Sequence, residues 1–497
     1  MTFRRAVRRL VLGLAFLGGC ASVPSPAPPP PAVYRSEEAR ACAAWLEGLD
    51  RAIDQHRVRD AGEFRVPGFP YLRVNRFLAS FRDELAAGPA FDAWLTRLRE
   101  LDLLARQAEL RNLPAAAWPS VEAKDVPAAL ARVLQCGATM ARDELPAAAR
   151  QADLRRAAVV PDDYDAGLRG SPFHALARGP FEAGVREWER DTLRQFREAA
   201  QAGASPAGLR RFAFQGEPAV ATSRELLARA PRDAAGIPRF PAPDLEQLFR
   251  LHAPQFEIDE QGPADRHGAL RMGAAGVDVE SAKAVVYRRL AYTRFEGRVL
   301  AQLVYGIWFP ERPADGPFDL LSGRLDGVLV RVTLDEDGLP LLVDSIHACG
   351  CYHLFFPTPR LRARPAPDPR EEWAFSPAAL PPPAPGQRLV LRLAGRTHYV
   401  VQVRWAEPAE KAAEPYVFAD EDGLRSLPLP GGGARSLYGP DGLVPGTERL
   451  ERLFFWPMGI ANAGAMRQWG RHATAFLGTR HFDDADLLAR RFARAAP

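Results

Sequence analysis

The spacing of hydrophobic residues changes once along this chain of 497 residues. From about Ser36 to Arg239 the apolar residues recur every three or four positions, as on one face of an α-helix. After Pro254 they recur at every second position, as on one face of a β-strand. The change predicts an α+β fold, in which an N-terminal all-helical domain (36–240) precedes an antiparallel, hairpin-built β-rich domain with C-terminal helices (241–497). The two halves are expected to have separate hydrophobic cores.

The first helix is predicted to begin after Ser36, which can cap it, with Glu37 and Glu38 in the first turn. Five residues then form one apolar face: Cys42, Trp45, Leu46, Leu49 and Ile53. In the second half, stretches of alternating hydrophobicity flank turn residues and predict hairpins. The predicted hairpin strands are 284–295 with 298–309, 325–334 with 340–356, and 387–393 with 397–405.

The densest chemical cluster is His347-Ala-Cys349-Gly-Cys351-Tyr-His353, which is predicted to lie on a strand. All four side chains would then project from the same face, and imidazole and thiolate are preferred ligands of zinc and other transition metals. The outer histidines would be about 20 Å apart on a straight strand. One ion could therefore not take all four ligands unless the strand bulges at Gly350. The candidate partner ligands from the same half are His398, His472 and His481.

Two other interpretations of this cluster stay open. Cys349 and Cys351 could form a local disulfide or simply be buried, while the histidines make hydrogen bonds in the core. The spacing is neither the C-x-x-C-H of covalent haem attachment nor a paired C-x-x-C zinc knuckle. The chain also has no H-E-x-x-H, G-x-S-x-G or Walker sequence.

Three weaker signals lie outside this cluster. The segment 471–484 contains two histidines, two arginines and two aspartates, which could line an anion or substrate pocket. Asp319, Asp326 and Asp344 are predicted to meet near strand ends, where paired carboxylates could serve acid–base chemistry. His252 lies at the hinge between the predicted halves, where a cleft could form, although a helix-end histidine explains it equally well.

The N-terminus is basic (Arg4, Arg5, Arg8, Arg9), continues with an apolar run over residues 10–17, and ends in Leu17-Gly18-Gly19-Cys20. This is typical of a secretory signal, and the apolar run is too short to span a membrane. The last four residues resemble the lipobox of bacterial lipoproteins. The resemblance implies cleavage of a signal peptide (1–19), acylation of Cys20 and anchoring in a membrane. Ala21 and Ser22 imply the outer membrane by the same resemblance. Residues 20–35 include a proline-rich stretch typical of a stiff tether.

An exported protein can contain disulfides, and Cys42 and Cys136 both fall on predicted helices. We expect these two cysteines to pair. The net charge of +4 is a small difference between 65 basic and 61 acidic residues, and no dense basic cluster follows the signal. Nucleic acid is therefore not an expected partner.

Two hypotheses for function follow from the sequence. The first is a non-catalytic lipoprotein of the cell envelope that binds or scaffolds, because no complete catalytic motif is present. The second is a periplasm-facing, metal-dependent enzyme with its site on the β-rich domain, because histidine, cysteine, arginine and aspartate concentrate there.

Overall fold

The structure is a computed structural model of the chain that describes residues 34–85, 87–201, 208–216, 220–273, 276–407 and 413–495. The predicted signal peptide, the lipobox with Cys20 and most of the tether lie outside these residues. Within them, no helix is both long enough and apolar enough to cross a membrane.

The helices and strands alternate along the chain more than the sequence predicts. The α-helices are Glu37–Gln55, Arg76–Ala79, Pro89–Asn112, Trp118–Val121, Val126–Glu144, Ala148–Ala157, Ala166–Arg169, Pro172–Gln201, Ser223–Arg229, Ala242–Leu251, Arg452–Phe455 and Leu487–Arg491. The strands are β1 (Phe64–Val66), β2 (Phe69–Val74), β3 (Leu209–Phe214), β4 (Gln255–Asp259), β5 (Ala269–Gly273), β6 (Gly276–Glu280), β7 (Ala284–Phe295), β8 (Arg298–Arg312), β9 (Gly323–Leu334), β10 (Pro340–His347), β11 (Leu354–Pro357), β12 (Leu361–Ala363), β13 (Arg388–Leu393), β14 (Val400–Ala406), β15 (Glu414–Asp420), β16 (Leu427–Pro428), β17 (Ala434–Arg435) and β18 (Phe492–Arg494).

The first helix forms for the reason that the sequence predicts. The Ser36 side chain accepts a hydrogen bond from the backbone N–H of Ala39, which satisfies one of the donors left free at a helix N-terminus. The predicted apolar face, including Trp45 and Ile53, is buried. This helix packs with the helix Val126–Glu144 in a core formed by residues 39–158 together with Ile237 and Val299.

The prediction of an all-helical N-terminal half is not confirmed. The hairpin of β1 and β2 lies within it, and β2 packs against the helix Pro89–Asn112. Strand β3, Leu209–Phe214, also falls in the range predicted to be helical, yet it lies inside the largest sheet. The six residues of β3 include two adjacent arginines and show no clear hydrophobic period. Pairing with strands that are distant in the sequence therefore determines their conformation. Phe196 and Phe212 accordingly pack in the core of the sheet, and the two cores do not divide at residue 240.

The main sheet has ten strands in the order β11-β10-β9-β8-β7-β15-β3-β4-β13-β14. The predicted hairpins form, but the sheet is mixed and not purely antiparallel. Strand β15 pairs in parallel with β7 and β3, and β13 pairs in parallel with β4. The helix Pro172–Gln201 touches both edge strands: Phe196 stacks on Phe356 of β11, and Gln402 of β14 donates to the carbonyl of Ala199. The sheet is therefore strongly curved, and this helix covers the gap between its edges.

The two faces of the sheet carry different side chains. The inner face, which includes Val328, Val330 and Val332 of β9, forms the core of the sheet. The outer face at β9 and β10 is covered by residues 461–492, as at Arg331 and Phe482. Helical spacing predicts helices in this last segment, but most of it is irregular chain, and only short helices form within 450–497.

The predicted disulfide is confirmed: the Cys42 and Cys136 sulfurs are 2.08 Å apart and join the helices Glu37–Gln55 and Val126–Glu144. The bridge closes a loop of 94 residues. In the chain-entropy description such a closure stabilises the fold by about 4–5 kcal/mol. We expect the Cys42→Ala, Cys136→Ala double variant to lose up to this free energy of unfolding, measured by urea denaturation. A variant that unfolds at the wild-type urea concentration would contradict this prediction.

Candidate functional site

The histidine–cysteine cluster forms a turn between β10 and β11, not a continuous strand. The backbone N–H of His347 donates to the Cys351 carbonyl, and that of Gly350 donates to the His347 carbonyl. Gly350 has a φ of +91°, and a Cβ there would lie 2.5 Å from the Ala473 carbonyl oxygen. Only glycine meets both conditions. The prediction that four side chains share one strand face is therefore wrong, because the chain reverses between His347 and His353.

His347 points to the inner face of the sheet and meets Asp326, at the start of β9. The His347 Nδ1 lies 3.3 Å from Asp326 Oδ1. His398, which precedes β14, places its Nδ1 2.9 Å from Asp326 Oδ2 and its Nε2 3.3 Å from Asp265 Oδ1. Its ring stacks on Phe309 with 3.8 Å between centroids. The structure thus brings together two of the predicted histidines and one of the predicted aspartates, all buried.

The charges in this network are set by burial and pairing. Burial opposes ionisation of Asp326, but the two histidines and Arg449 hold the pKa of this carboxyl well below its usual value. Burial lowers the pKa of His347, which leaves a neutral imidazole at pH 7. Hydrogen bonds to Asp265 and Asp326 overcome burial and raise the pKa of His398. The network therefore holds an ionised carboxylate between one neutral histidine and one that favours the charged form.

Backbone strain concentrates at the same place. Leu325, Tyr352 and His398 have φ values of 52°, 60° and 54°, in the left-handed region that residues with a Cβ rarely adopt. Each such residue costs on the order of 1–3 kcal/mol and persists only where the surrounding structure holds it. Strained residues of this kind cluster at sites where side chains must be placed accurately for function.

Two arginines complete the inner part of the site. Arg449 Nη2 donates to the Leu325 carbonyl at 3.1 Å and lies 3.4 Å from Asp326 Oδ1. Arg312 Nη2 donates to the Tyr399 hydroxyl at 3.1 Å. The buried nitrogens without a hydrogen-bond partner among the described residues include His347 Nε2, Arg312 Nη1 and Arg449 Nε. The site therefore retains unused hydrogen-bonding capacity beside an ionised carboxylate.

Cys349 and Cys351 are both free thiols and differ in accessibility. Cys349 is 3% exposed, whereas Cys351 is partly open to solvent. A hydrogen bond from the Cys351 thiol and the charge of Arg449 lower the pKa of Cys349, although burial opposes this. The hydrogen bond to Cys349, together with burial, raises the pKa of Cys351. The first proton lost from the pair therefore leaves a thiolate on the inner sulfur.

A buried carboxyl lies within electrostatic range of the two thiols. Glu451 is 3% exposed, and burial raises its pKa to about 7, although Arg449 and Arg312 act in the opposite direction. Its negative charge raises the pKa of both cysteines, which places it within electrostatic range of each sulfur. The carboxyl packs against Gly464, where a Cβ would lie 1.8 Å from Glu451 Oε1. A carboxyl with a pKa near 7 can accept and return a proton at neutral pH.

Aromatic rings surround the mouth of the site. The Tyr352 ring lies 5.0 Å from the His347 ring and 4.7 Å from the Tyr399 ring. Trp188, on the helix that covers the sheet edges, contacts Tyr352 at 5.6 Å. Tyr352 and Tyr399 are partly exposed, as is Cys351. Solvent therefore reaches the site on the side of the outer thiol and not on the side of Asp326.

His353 lies on the other face of the sheet. Its Nε2 donates to Asp344 Oδ2 at 2.9 Å, and Arg331 binds both oxygens of the same carboxylate. Burial lowers the pKa of His353 to about 3, so that it is neutral. Asp344 thus does not meet Asp326, and Asp319 accepts backbone N–H groups in the loop after β8. The prediction that these three aspartates meet is wrong. Side chains alternate between the two faces of a sheet along each strand, and Asp326 and Asp344 lie on opposite faces.

The remaining predicted histidines lie apart from the site. His472 is buried near Phe482, and burial lowers its pKa to about 3. His481 contacts a group of carboxylates: it lies 3.2 Å from Asp162 and 3.5 Å from Asp484. Burial opposes the charge, but these carboxylates raise the pKa of His481 to about 9. The charged histidine therefore joins the 162–163 segment to the C-terminal segment.

We expect His481 to stabilise the fold mainly at acid and neutral pH. The pKa is about 9 in the folded state and 6.5 in the unfolded state, so the stabilisation is complete below pH 6.5 and is lost as pH rises through 9. The shift corresponds to at most about 3 kcal/mol. The difference in free energy of unfolding between wild type and His481→Gln should shrink by that amount from pH 6 to pH 10. A difference that is constant over this range would contradict the prediction.

The predicted metal site remains a prediction. Among the residues that the structure describes, no three histidine, cysteine, aspartate or glutamate side chains are grouped so that they could hold a metal ion. Of the predicted ligands, only His398 joins His347, and Asp326 lies between them. Measurement of zinc, copper and iron in the purified protein, with His347→Ala as the control, tests the hypothesis directly.

Several residues of the site are not predicted from the sequence. Asp265 ends the short 3-10 helix Pro263–Asp265 after β4, and Arg312 ends β8. Arg449 and Glu451 come from irregular chain before the helix Arg452–Phe455. In the sequence, Arg449 and Glu451 resemble ordinary surface charges. Their burial depends on contacts with chain more than 100 residues earlier, such as the Glu451 N–H with the Leu320 carbonyl.

Comparisons with models of protein families, with curated proteins and with solved structures find no match to this chain. The geometry of the site is thus the basis for assigning a function.

Proposed function

We propose that this protein is a lipid-anchored component of the bacterial cell envelope that catalyses thiol–disulfide exchange through Cys349 and Cys351. The observation that carries the proposal is the pairing of two free cysteines, one partly exposed and one buried with its thiol pKa lowered by the charge of Arg449, with a buried carboxyl of pKa about 7. Disulfides form and persist in an oxidising compartment, so two neighbouring thiols there can cycle between the reduced and the disulfide form. Of the two hypotheses that follow from the sequence, we therefore favour an enzyme over a binding module.

The geometry favours a site whose disulfide form oxidises other thiols. A disulfide between cysteines separated by one residue closes a small, strained ring, and strained disulfides have more oxidising potentials. Stabilisation of the Cys349 thiolate by Arg449 favours the reduced form and makes this sulfur a good leaving group. Cys351, as the more exposed of the two cysteines, would be the one attacked.

The exchange then proceeds in two balanced steps. A substrate thiolate attacks Cys351, the Cys349–Cys351 bond breaks, and Cys349 leaves as a thiolate. A second substrate thiolate attacks the mixed disulfide, which releases Cys351 and leaves the substrate disulfide. Two electrons pass from the substrate to the cysteine pair, which is reoxidised by another disulfide. Glu451 supplies a proton to a departing sulfur and accepts one from an attacking thiol.

A redox titration of the full chain in glutathione buffers tests this function, with alkylation and mass spectrometry as the readout. We expect Cys349 and Cys351 to oxidise together at a potential above about −230 mV. The Cys42–Cys136 disulfide is an internal control, because structural disulfides stay oxidised to below about −300 mV. Cys349→Ser and Cys351→Ser should each abolish oxidation of a dithiol peptide. Two thiols that remain reduced well above about −120 mV, the potential of a strongly oxidising cysteine pair, or variants with wild-type activity, would falsify the proposal and leave the binding hypothesis.

The lipid anchor is supported by the N-terminal sequence alone. A basic start, a short apolar run and Leu17-Gly18-Gly19-Cys20 resemble the lipoprotein signal, and acylation at two positions gives stable membrane attachment. We expect Cys20→Ala to leave the protein uncleaved or without lipid. Detergent-phase partitioning and mass spectrometry report this, and a Cys20→Ala protein that still carries lipid would exclude this anchor.

A further inference from the structure

A second pair of reactive side chains lies far from the thiols. His252 follows the helix Ala242–Leu251, and its Nε2 lies 2.7 Å from the Ser223 hydroxyl oxygen. Both residues line a cavity of about 320 Å³. The cavity also contacts Val332, which lies six residues after Asp326 on β9 and therefore about 20 Å from it. The serine–histidine pair thus belongs to a separate site.

Both side chains are held by local structure. Ser223 follows Thr222, whose side chain caps the helix Ser223–Arg229 in a reciprocal capping box with Glu225. The backbone N–H of His252 donates to the Leu248 carbonyl at 3.2 Å, which ties the histidine to the end of its helix. Gly338 presses on the serine from the opposite side: its φ is +81°, and a Cβ there would lie 2.8 Å from Ser223 Cβ.

The protonation state suits a histidine that accepts a proton from serine. Burial and the charge of Arg388 lower the pKa of His252 to about 4, so the imidazole is neutral at pH 7. Its Nε2 can then accept a hydrogen bond from the Ser223 hydroxyl. Among the described residues, no carboxylate is hydrogen-bonded to His252. The pair is accordingly a dyad in which no carboxylate from the described part of the chain orients the histidine.

The rest of the cavity indicates the class of substrate. Its wall is mostly apolar, with Leu251, Val332, Leu389 and Trp405, and Arg224 lies exposed beside Ser223. A volume of about 320 Å³ corresponds to a small ligand. An apolar acyl chain would lie against this wall, with its carbonyl group at the serine.

We propose that Ser223 and His252 form a nucleophilic site that hydrolyses small carboxylic esters with an apolar acyl group. Ser223 Oγ attacks the carbonyl carbon and its proton passes to His252 Nε2. The bond to the alcohol oxygen then breaks, and the alcohol leaves with that proton. Water attacks the acyl-serine in the same way, which releases the carboxylic acid and restores the serine. The dyad, the ester and water account for every atom and proton in these steps.

An alkyl fluorophosphonate probes the nucleophile directly in the full-length protein. The serine oxygen attacks phosphorus, the phosphorus–fluorine bond breaks and fluoride leaves, so that mass spectrometry of peptides locates the modified residue. We expect one probe molecule per chain, on Ser223. Ser223→Ala should abolish labelling, and His252→Gln should slow it by about 10²-fold or more, because a general base contributes on that order.

Controls separate this site from the thiols and from nonspecific labelling. Ser376→Ala removes an exposed serine outside the cavity and should label at the wild-type rate. Cys351→Ser should also label normally, because the two sites are independent. Circular dichroism of Ser223→Ala and His252→Gln checks that both variants are folded. Unlabelled wild-type protein, or a folded His252→Gln variant that labels at the wild-type rate, would overturn the proposal. Hydrolysis of p-nitrophenyl butyrate that disappears in Ser223→Ala would support it independently.

Discussion

Replacement of Arg331 by methionine is expected to lower the free energy of unfolding by about 3–5 kcal/mol, because it leaves a buried charge without its partner. Arg331 is 1% exposed and binds both oxygens of Asp344, which is fully buried. Without the guanidinium, the carboxylate would keep only the hydrogen bond from His353. Urea denaturation at pH 7 measures the loss.

Two further variants test whether the loss of stability comes from leaving a buried charge unpaired. Arg239→Met breaks the Arg239–Glu100 ion pair, whose side chains are 40% and 45% exposed, and should change the free energy of unfolding by less than about 1 kcal/mol. Arg331→Met combined with Asp344→Leu removes both charges and should recover much of the stability. A loss below 1 kcal/mol for Arg331→Met alone would show that the buried pair contributes little.

Replacement of Glu451 by glutamine is expected to slow thiol–disulfide exchange by about 10²-fold or more, since a positioned proton donor and acceptor contributes on that order. In the wild type the rate at which the reduced pair reacts with oxidised glutathione should rise through pH 7, as the Glu451 carboxyl ionises. In Glu451→Gln this inflection should disappear, and the rate should follow the ionisation of the thiols alone.

Glu448→Gln is the matched control, because Glu448 lies three residues earlier on the same segment and is exposed. Its exchange rate and pH profile should equal those of the wild type. A Glu451→Gln variant that retains the inflection near pH 7 would assign the proton transfer to another group. His347 and Asp326 would then be the next residues to substitute.

The local features of the fold follow from the sequence, and the long-range ones do not. The helix cap at Ser36 and the hairpin of β7 and β8 depend on residues close in the chain, and both form as predicted. The parallel pairing of β15 with β3 joins residues about 200 positions apart, and no local pattern encodes it. The site follows the same rule: His347 and Cys349 stand out in the sequence, whereas Arg449 is recognised only when the structure places it beside Asp326.

The position of Gly350 explains why a strand is predicted where a turn exists. Residues 340–356 alternate well enough for one continuous strand, and a glycine in such a run is also compatible with a bulge. The structure has a turn instead of a strand here, and the Ala473 carbonyl oxygen approaches Gly350 too closely for any side chain at that position. A segment about 120 residues further along the chain therefore restricts the turn between the two cysteines to glycine.

The central position of β3 has a consequence for the order in which the protein can fold. This strand lies between β4 and β15, and β15 ends only at Asp420. As the chain emerges from a ribosome or a translocation pore, the sheet must remain open on one side of β3 until four-fifths of the chain is available. Such non-local pairing has high contact order and predicts slow folding. A chain that stays unfolded until late in synthesis suits export in the unfolded state, one route open to the exported protein that we propose.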